Sequence, residues 1–229
     1  MRCTNSSEQS ALPMDDKTRK ILGVDENRPT DWFETLYSET NEGGNGVPWA
    51  NMAPHPLFKS WINKNPGIGK RKSALVVGCG MGDDAIELEL QGFDVTAFDV
   101  SNSAIELCKK RFPNTKVKFI QADLLKGVLE WHRKFDFVLE IFTIQALPPK
   151  YENTLIQNIS DFVSKNGRLM VITEVQNAKR TFENGPPWLL NNNYIKSFEN
   201  CGLKQISHSN NSEAEIGEKI HLTIFERQG

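Results

Sequence analysis

From Ser73 onward, short apolar runs alternate with amphipathic stretches, and this alternation limits the possible folds more than any other feature of the sequence. The apolar runs are SALVVG, FDVTAFD, VKFIQAD, FDFVLEIF and GRLMVITEV. Helical stretches separate them, among them DDAIELELQ, SAIELCKKRF and, at residues 148–165, PPKYENTLIQNISDFVSK. Such an alternation predicts parallel strands joined by crossover helices. We therefore expect an α/β fold built on a mostly parallel sheet.

The C-terminal part of the chain departs from this alternation. A helical pattern at residues 191–201 is followed by strand-like runs at 203–207 and 220–225, with a polar segment between them. A polar loop between two such runs indicates an antiparallel hairpin. Together with the five runs before it, the hairpin predicts a seven-stranded sheet.

The segment before the sheet has the pattern of a short helical arm. The pattern predicts a short helix at residues 15–22 and a short amphipathic helix at residues 31–40. The second helix places Trp32, Leu36 and Tyr37 on one face before NEGGNG ends it. A further helix follows Pro54 and Pro56. Because 229 residues suit one domain, we expect an arm or lid over residues 1–45 and one α/β domain over residues 46–229.

Composition and charge argue against several classes of protein. The formal net charge is -2, from 27 basic and 29 acidic side chains, which gives no broad attraction for a phosphate backbone. No window is apolar enough to span a membrane, and the N-terminus lacks the apolar run of a secretory signal, which favours a cytoplasmic location. The four cysteines (Cys3, Cys79, Cys108 and Cys201) form no Cys-x-x-Cys pair, so we expect free thiols and no metal site.

A glycine-rich turn follows the first predicted strand. In VVGCGMGDD, Gly78, Gly80 and Gly82 lie between a buried strand and the start of a helix. Glycines at this position let a ligand approach the backbone closely, because no Cβ atom stands in the way. The pattern favours a nucleoside-bearing cofactor, although a tight strand-to-helix turn with no ligand gives the same letters.

Two carboxylates support the cofactor interpretation. Asp99 ends the second strand, where its carboxylate can accept hydrogen bonds from both hydroxyls of a ribose. Asp123 closes the third strand at the same edge of the sheet, within reach of a base beyond the ribose. The turn and both carboxylates therefore predict one nucleoside site.

The charges next to the turn bear on which cofactor this is. Asp83 stands where the dinucleotide fingerprint has its third glycine, and Asp84 follows it. Two carboxylates at a helix start would repel a pyrophosphate, whereas S-adenosylmethionine carries no phosphate and has a positively charged end. Either residue could also serve as a helix cap with either cofactor. The charge argument favours S-adenosylmethionine over NAD.

With these motifs the chain resembles the class I S-adenosylmethionine-dependent methyltransferases, through VVGCGMGDD, AFDVS, QADLL and FDFVLEIF. Trp32 on its short helix and VPW at 47–49 are similar to the thiopurine, thiol and halide methyltransferase group. The longer runs VPWANMAPHPLFKSWI, EIFTIQALPP and ENGPPWLL look like a bacterial branch without a defined substrate. The resemblance implies a single Rossmann-like class I domain.

The resemblance also implies a set of cofactor-binding residues. The tryptophans would pack on the cofactor, Gly78 would contact its amino acid end, and Asp99 would bind the ribose. Adenine would be held at the end of the third strand, and the fourth strand would close the site around the methionine part. Leu36 departs from the group, which often has a second tryptophan there. The implied set is Trp32, Trp49, Gly78, Gly80, Gly82, Asp99, Val100, Asp123, Leu124, Glu140 and Ile141.

For the reaction, the resemblance implies methyl transfer to a small-molecule nucleophile by direct displacement, without a metal. Sulfur is favoured, with nitrogen or oxygen possible, because soft nucleophiles need little general-base help and no His and carboxylate pairing is evident. EIFTIQALPP also lacks the acidic or Asn, Pro, Pro, aromatic arrangement of enzymes that methylate nucleic acid bases.

No residue is assigned a catalytic role from the sequence. Candidates for the acceptor pocket are His55, Phe142, Gln145 and Trp188. Two alternatives stay open at this point: an NAD(P)-binding oxidoreductase, and a protein that binds S-adenosylmethionine without catalysis.

Overall fold

The computed structural model describes residue 14 and residues 16–176, 180–211 and 219–229. Seven strands form one sheet: β1 Ser73–Val77, β2 Asp94–Asp99, β3 Lys118–Gln121, β4 Phe135–Ile141, β5 Val163–Val175, β6 Leu203–Asn211 and β7 Lys219–Arg227. Their order is β3-β2-β1-β4-β5-β7-β6. All pairs from β3 to β5 are parallel, whereas β7 is antiparallel to both β5 and β6. The mostly parallel seven-stranded sheet with a terminal hairpin is therefore confirmed.

Seven α-helices accompany the sheet in the part of the chain that the structure describes: α1 Asp16–Leu22, α2 Asp31–Ser38, α3 Pro56–Asn63, α4 Asp83–Leu90, α5 Asn102–Arg111, α6 Glu152–Phe162 and α7 Tyr194–Asn200. Two hydrophobic clusters cover the two faces of the sheet. One contains Phe58 of α3 and Leu88 of α4, and the other contains Ile159 of α6 and Phe198 of α7. Among the described helices, none is long and apolar enough to cross a membrane.

The register of the parallel strands brings their carboxyl ends to one edge of the sheet. Val77 at the end of β1 pairs with Phe98 of β2 and with Glu140 of β4. Asp99 follows Phe98 directly and pairs with Gln121 at the end of β3. The glycine turn, the acidic strand ends and the segment after β4 therefore meet at this edge.

The boundaries of one predicted helix differ from the structure. The amphipathic pattern predicted a helix from Pro148 to Lys165, but a 3-10 turn precedes α6 and the helix ends at Phe162. Val163 is already extended and pairs with Phe135 of β4, before a register shift in that pair of strands. A β-branched residue favours the extended conformation, so strand pairing ends the helix earlier than the apolar stripe suggests.

The arm packs on the domain through α2. Trp32, Phe33, Leu36 and Tyr37 of this helix are buried in the same hydrophobic cluster as β1, β4 and α6. Glu34, on the outer side of α2, accepts hydrogen bonds from the Ser101 hydroxyl at 2.7 Å and the Ser103 hydroxyl at 2.6 Å. Ser101 and Ser103 lie at the start of α5, so α2 is fixed beside the carboxyl edge of β2.

Candidate active site

The backbone of the glycine turn leaves no room for side chains. Gly78 and Gly80 have φ values of +60° and +51°, in the left-handed region that favours glycine. A Cβ atom on Gly78 would lie 2.6 Å from Thr143 Oγ1, and one on Gly80 would lie 2.8 Å from the Tyr37 hydroxyl. A Cβ on Gly82 would instead meet Cys108 Sγ, below the turn, at 2.9 Å. Gly78 therefore packs against Thr143, after β4, and Gly80 packs against Tyr37 of the arm, so both positions require glycine.

Asp99 links β2 to the glycine turn. Its carboxylate is 6% exposed and accepts hydrogen bonds from Gly80 N and Ser101 N, both at 3.0 Å. Burial raises the pKa of the Asp99 carboxyl, and the amides of Ser101 and Gly80 oppose that rise. An ionised carboxylate offers about four acceptor positions, so two hydrogen bonds from a ribose remain possible.

The end of β3 lies beside Asp99, as the sequence predicted. Ala122 N donates to the Asp99 carbonyl at 3.0 Å, and the Gln121 side chain donates to the Val100 carbonyl at 3.1 Å. Asp123 accepts from Leu125 N at 2.9 Å, and Leu124 is buried. Val100, Asp123 and Leu124 therefore lie at one corner of the edge, next to Asp99.

Trp32 and Trp49, the two tryptophans expected to pack on the cofactor, occupy different environments. Trp32 is 1% exposed, stacks on Phe33 and donates its indole N–H to the Pro29 carbonyl at 3.1 Å. Trp49 is 39% exposed, and its ring meets that of Trp32 edge-on at 5.8 Å. Trp49 is accordingly the tryptophan with a face available to a ligand, while Trp32 supports it from behind.

Tyr37 lies at the glycine turn, although the sequence pattern predicts it only as part of an apolar helix face. Its hydroxyl accepts a hydrogen bond from Trp49 Nε1 at 2.9 Å and lies over Gly80. Burial and the nearby Asp99 carboxylate raise the pKa of the Tyr37 phenol well above its usual value. A signal was present in the sequence, because Tyr37 follows Leu36, the position at which the resembling group often has a tryptophan.

The fourth strand reaches the turn through Glu140 and the residues after it. Glu140 Oε1 accepts hydrogen bonds from Thr143 N at 2.8 Å and from Ile144 N at 3.0 Å. Thr143 in turn donates its hydroxyl to the Val77 carbonyl at 3.0 Å. Glu140 and Ile141 therefore end β4 directly beside Gly78.

Two acceptor-pocket candidates from the sequence, His55 and Phe142, lie together. Their ring centroids are 5.2 Å apart in an edge-to-face arrangement. Phe142 has a φ of +58°, a strained conformation for a bulky residue and one that often occurs at functional sites. Burial lowers the pKa of His55 to about 4, so its ring is neutral near pH 7. His55 Nδ1 is buried and has no hydrogen-bond partner among the described residues.

Gln145 and Trp188, the other two candidates, are tied into a buried network. The Gln145 amide accepts from the Thr173 hydroxyl at 2.9 Å and donates to Glu174 Oε2 at 2.9 Å. Trp188 is buried, and its indole N–H donates to the Phe182 carbonyl at 3.0 Å. A backbone hydrogen bond of 2.7 Å from Trp188 N to the Gln145 carbonyl joins the two. Both residues therefore brace the segment after β4.

The structure changes the interpretation of the carboxylates at the start of α4. Asp83 forms a bidentate ion pair with Arg111 of α5, with N···O distances of 2.7 and 2.9 Å. Arg111 also donates a hydrogen bond to the Met81 carbonyl. Asp84 accepts from His55 N at 2.8 Å, and burial raises its pKa to about 7. Two uncompensated negative charges were expected here from the sequence. That expectation is wrong for Asp83, because Arg111, 28 positions further along the chain, pairs with it. The choice of cofactor therefore needs other support.

The edge as a whole has the features of a nucleoside-cofactor site. Bare glycine backbone, the Asp99 carboxylate and the polar end of β3 follow one another along it, and aromatic residues of the arm lie above. Within the described ranges, no three His, Cys, Asp or Glu side chains form a group that could hold a metal ion. This strand order with a glycine turn after β1 defines the Rossmann-like class I methyltransferase fold.

Comparison with known proteins agrees with this class. Residues 74–167 match a family model described as a methyltransferase domain. The chain is 26% identical over 196 residues to "Probable thiol methyltransferase 2" of Arabidopsis thaliana, covering 80% of this chain and 84% of that protein. It is 30% identical over 113 residues to a ubiquinone biosynthesis O-methyltransferase of Rickettsia akari, covering 48% of this chain and 43% of that one.

A solved structure shows the same fold over nearly the whole chain. The 1,6-didemethyltoxoflavin-N1-methyltransferase of Burkholderia thailandensis, with bound S-adenosylhomocysteine, gives a TM-score of 0.67 at 12% identity and covers 99% of both chains. The present chain is a class I S-adenosylmethionine-dependent methyltransferase, and S-adenosylmethionine is its cofactor. The oxidoreductase and the non-catalytic alternatives are thereby set aside.

Proposed function

We propose that this enzyme methylates a small-molecule nucleophile, with sulfur favoured over nitrogen and oxygen, by direct displacement and without a metal. The observation that carries the proposal is the hydrogen bond of 3.0 Å from Gly80 N to the Asp99 carboxylate, which joins the candidate ribose-binding residue to the glycine turn. The similarity to a thiol methyltransferase over four fifths of the chain supports the ranking of sulfur.

The cofactor site is proposed to run along the carboxyl edge from β3 to β4. Asp123, Leu124 and Val100 hold the adenine corner, and Asp99 binds the ribose. Gly78, Gly80 and Gly82 shape the turn that carries the amino acid end, and the backbone of Glu140 and Ile141 closes the site beyond it. Gly78 and Gly80 have to be glycine for the turn to keep this shape, because a Cβ atom there would collide with Thr143 or with the Tyr37 hydroxyl.

Residues 1–45 are proposed to act as the arm over this site, with residues 46–229 as the methyltransferase domain. Tyr37 lies over Gly80, and Trp49 joins it through a hydrogen bond of 2.9 Å. Because Trp49 is more exposed than Trp32, it has the greater freedom to adjust when the cofactor enters. Trp32 stays in the core and supports it.

When bound, S-adenosylmethionine supplies a methyl group on a positively charged sulfur, which is a good leaving group. The chain has to orient the acceptor and exclude water, since alignment of the reacting atoms is worth much of the barrier in such a displacement. We assign these tasks to His55 and Phe142, which form one wall next to β4. Gln145 and Trp188 keep the segment after β4 in place.

The experiment is a methyl-transfer assay over thiols, halides, amines, phenols and carboxylic acids, with and without a chelator. We expect the fastest turnover with a thiol and the same rate when the chelator is present. Loss of activity with chelator would contradict the metal-free reaction. Exclusive methylation of nitrogen or oxygen acceptors would leave the methyltransferase in place and overturn the preference for sulfur.

A further inference from the structure

The carboxyl group of Glu140 is buried with one oxygen held and the other without a partner. Its side chain is 0% exposed, and Oε1 accepts two backbone amide hydrogen bonds, from Thr143 and Ile144. Oε2 forms no hydrogen bond to any residue that the structure describes. A buried carboxyl oxygen without a partner is costly, so this group has a use that the rest of the fold does not explain.

The surroundings of Glu140 supply no obvious partner for Oε2. Its neighbours on the same row of the sheet are Val77 and Val171, which are apolar. The Tyr194 hydroxyl, close enough for the charge of Glu140 to raise its pKa, is already bonded to the Thr223 hydroxyl at 2.6 Å. The donor for Oε2 is therefore expected to come from a bound molecule.

The position of Glu140 indicates which molecule that is. Thr143, whose amide is bonded to Glu140, lies 2.6 Å from a Cβ placed on Gly78 and donates to the Val77 carbonyl. Thr143 therefore lies between the Glu140 carboxyl group and Gly78, in the turn that is proposed to carry the methyl donor. The acceptor has to meet that donor at the same end of β4.

We propose that Glu140 Oε2 is the base that removes the proton of the acceptor during methyl transfer. The acceptor forms its bond to the methyl carbon with the electron pair that held its proton, the methyl–sulfur pair stays on the sulfur, and the proton passes to Oε2. This inference rests on the function proposed above and deepens it. It selects acceptors that carry a proton at neutral pH, such as alkyl thiols or weakly acidic hydroxyl and N–H groups, over halides.

The chemistry of the carboxyl group suits this role. Burial raises the pKa of Glu140 to about 7, against the opposing effect of the Ile144 and Thr143 amides, and a base works best when its pKa is near the working pH. The two amides fix Oε1, so Oε2 is oriented in advance. The Tyr194 phenol of α7 is a titratable group whose pKa responds to the charge of Glu140. Its hydroxyl lies 3.4 Å from His221 Nδ1 of β7 and bonds to Thr223, which also bonds to His208 Nδ1 of β6.

The main test is Glu140→Gln, which keeps an oxygen for the two amides and removes the base. The assay compares alkyl thiols, which are protonated near pH 7, with aromatic thiols that are already ionised there. We expect kcat to fall about 100-fold or more for the alkyl thiols, and to change less than about threefold for the ionised ones. If the accepted class is nitrogen or oxygen, the same comparison is made between weakly and strongly acidic members of that class.

Two controls separate this inference from the proposed function and from simple loss of structure. Glu87→Gln alters another buried glutamate, which is paired with Lys59 of α3, and should leave the dependence on acceptor acidity unchanged. S-adenosylhomocysteine affinity, measured by calorimetry, should stay within about threefold of wild type in Glu140→Gln. A wild-type enzyme that methylates no small molecule would overturn the proposed function. Equal loss of rate for all acceptors would overturn the base.

A second readout needs no turnover. Because the folded protein binds the Glu140 proton more tightly than the unfolded chain, the free energy of unfolding should fall as pH rises from about 4.5 to about 7 and then level off. Glu140→Gln should lack this contribution, while Glu87→Gln keeps it. An unchanged pH dependence of the free energy of unfolding in Glu140→Gln would contradict the assignment. So would a dependence of rate on acceptor acidity that disappears only in His55→Gln.

Discussion

Single side chains at the carboxyl edge serve both the fold and the proposed site, and Asp99 is the clearest case. Its two oxygens hold the amides of Gly80 and Ser101, so it orders the glycine turn and the start of α5 together. The same carboxylate keeps acceptor positions for a ligand. A conservative substitution of Asp99 should therefore weaken ligand binding before it unfolds the protein.

Asp99→Asn is expected to weaken S-adenosylhomocysteine binding about 10- to 100-fold, because hydrogen bonds to a charged acceptor contribute about 1.5–3 kcal/mol. Isothermal calorimetry measures the change. Asp94→Asn is the matched control, since Asp94 begins the same strand and forms only an exposed ion pair with Lys118. Equal affinity in both variants would remove Asp99 from the ribose position.

The pair formed by Tyr37 and Trp49 also gives a test at the scale of single residues. A double-mutant cycle with Tyr37→Phe and Trp49→Phe should show a coupling of about 1 kcal/mol in the free energy of unfolding, the usual net value of one hydrogen bond. Tyr37→Phe with Tyr151→Phe is the control, because the Tyr151 hydroxyl bonds elsewhere, to the Glu26 carbonyl at 3.0 Å. Additive effects in the first pair would show that the contact is not formed in solution.

Among the elements, α2 is the one that attaches the arm to the edge of the site. Its inner face is apolar and buried, and its outer face places Glu34 at the start of α5. An anionic side chain at a helix N-terminus is favourable, because the first backbone N–H groups there lack partners within the helix. Glu34 accordingly stabilises both the docking of α2 and the beginning of α5.

Glu34→Ala should lower the free energy of unfolding by about 1 kcal/mol, as loss of a helix cap does, and the melting temperature by about 2–4 °C. Burial raises the pKa of Glu34, but hydrogen bonds from Ser103 and Ser101 outweigh it, so the net pKa is lowered from 4.5. The stabilisation is therefore complete above pH 4.5 and is lost as pH falls through the lowered pKa.

Thermal unfolding at pH 7 and at pH 3 checks this prediction. The difference between wild type and Glu34→Ala should shrink at the lower pH. Glu39→Ala is the control, because Glu39 lies just after α2 and has an exposed side chain. A difference that stays constant with pH would mean that the charge of Glu34 does not support the docking.

For the whole molecule, ligand binding should report on the cofactor, because a ligand that binds only the folded state raises stability by mass action. At a concentration 100 times its Kd, S-adenosylhomocysteine should add about 2.7 kcal/mol, which corresponds to roughly 5–10 °C in melting temperature for a chain of this size. NADH at the same concentration is the control and should give no shift. A larger shift with NADH would contradict the cofactor assignment.

Much of the architecture was predictable from the sequence, because its signals are local. The apolar runs and the amphipathic helices predicted a mostly parallel sheet with a terminal hairpin. They also predicted that Gly78, Asp99 and Asp123 lie at one edge of that sheet. Periodicity and strand ends need only neighbouring residues to be recognised. The end of α6 was less predictable, since the pairing of Val163 with β4 competes with the helical pattern.

The amino-acid sequence by itself therefore determined the fold, the glycine turn and the edge that holds the site. Only the tertiary structure decided which distant side chains meet there. Arg111 neutralises Asp83, Tyr37 covers Gly80, and Glu140 keeps one oxygen without a partner. The first two contacts join residues 28 or more positions apart, and the third depends on how the chain turns after β4. No local pattern specifies them, because they arise from the packing of whole elements.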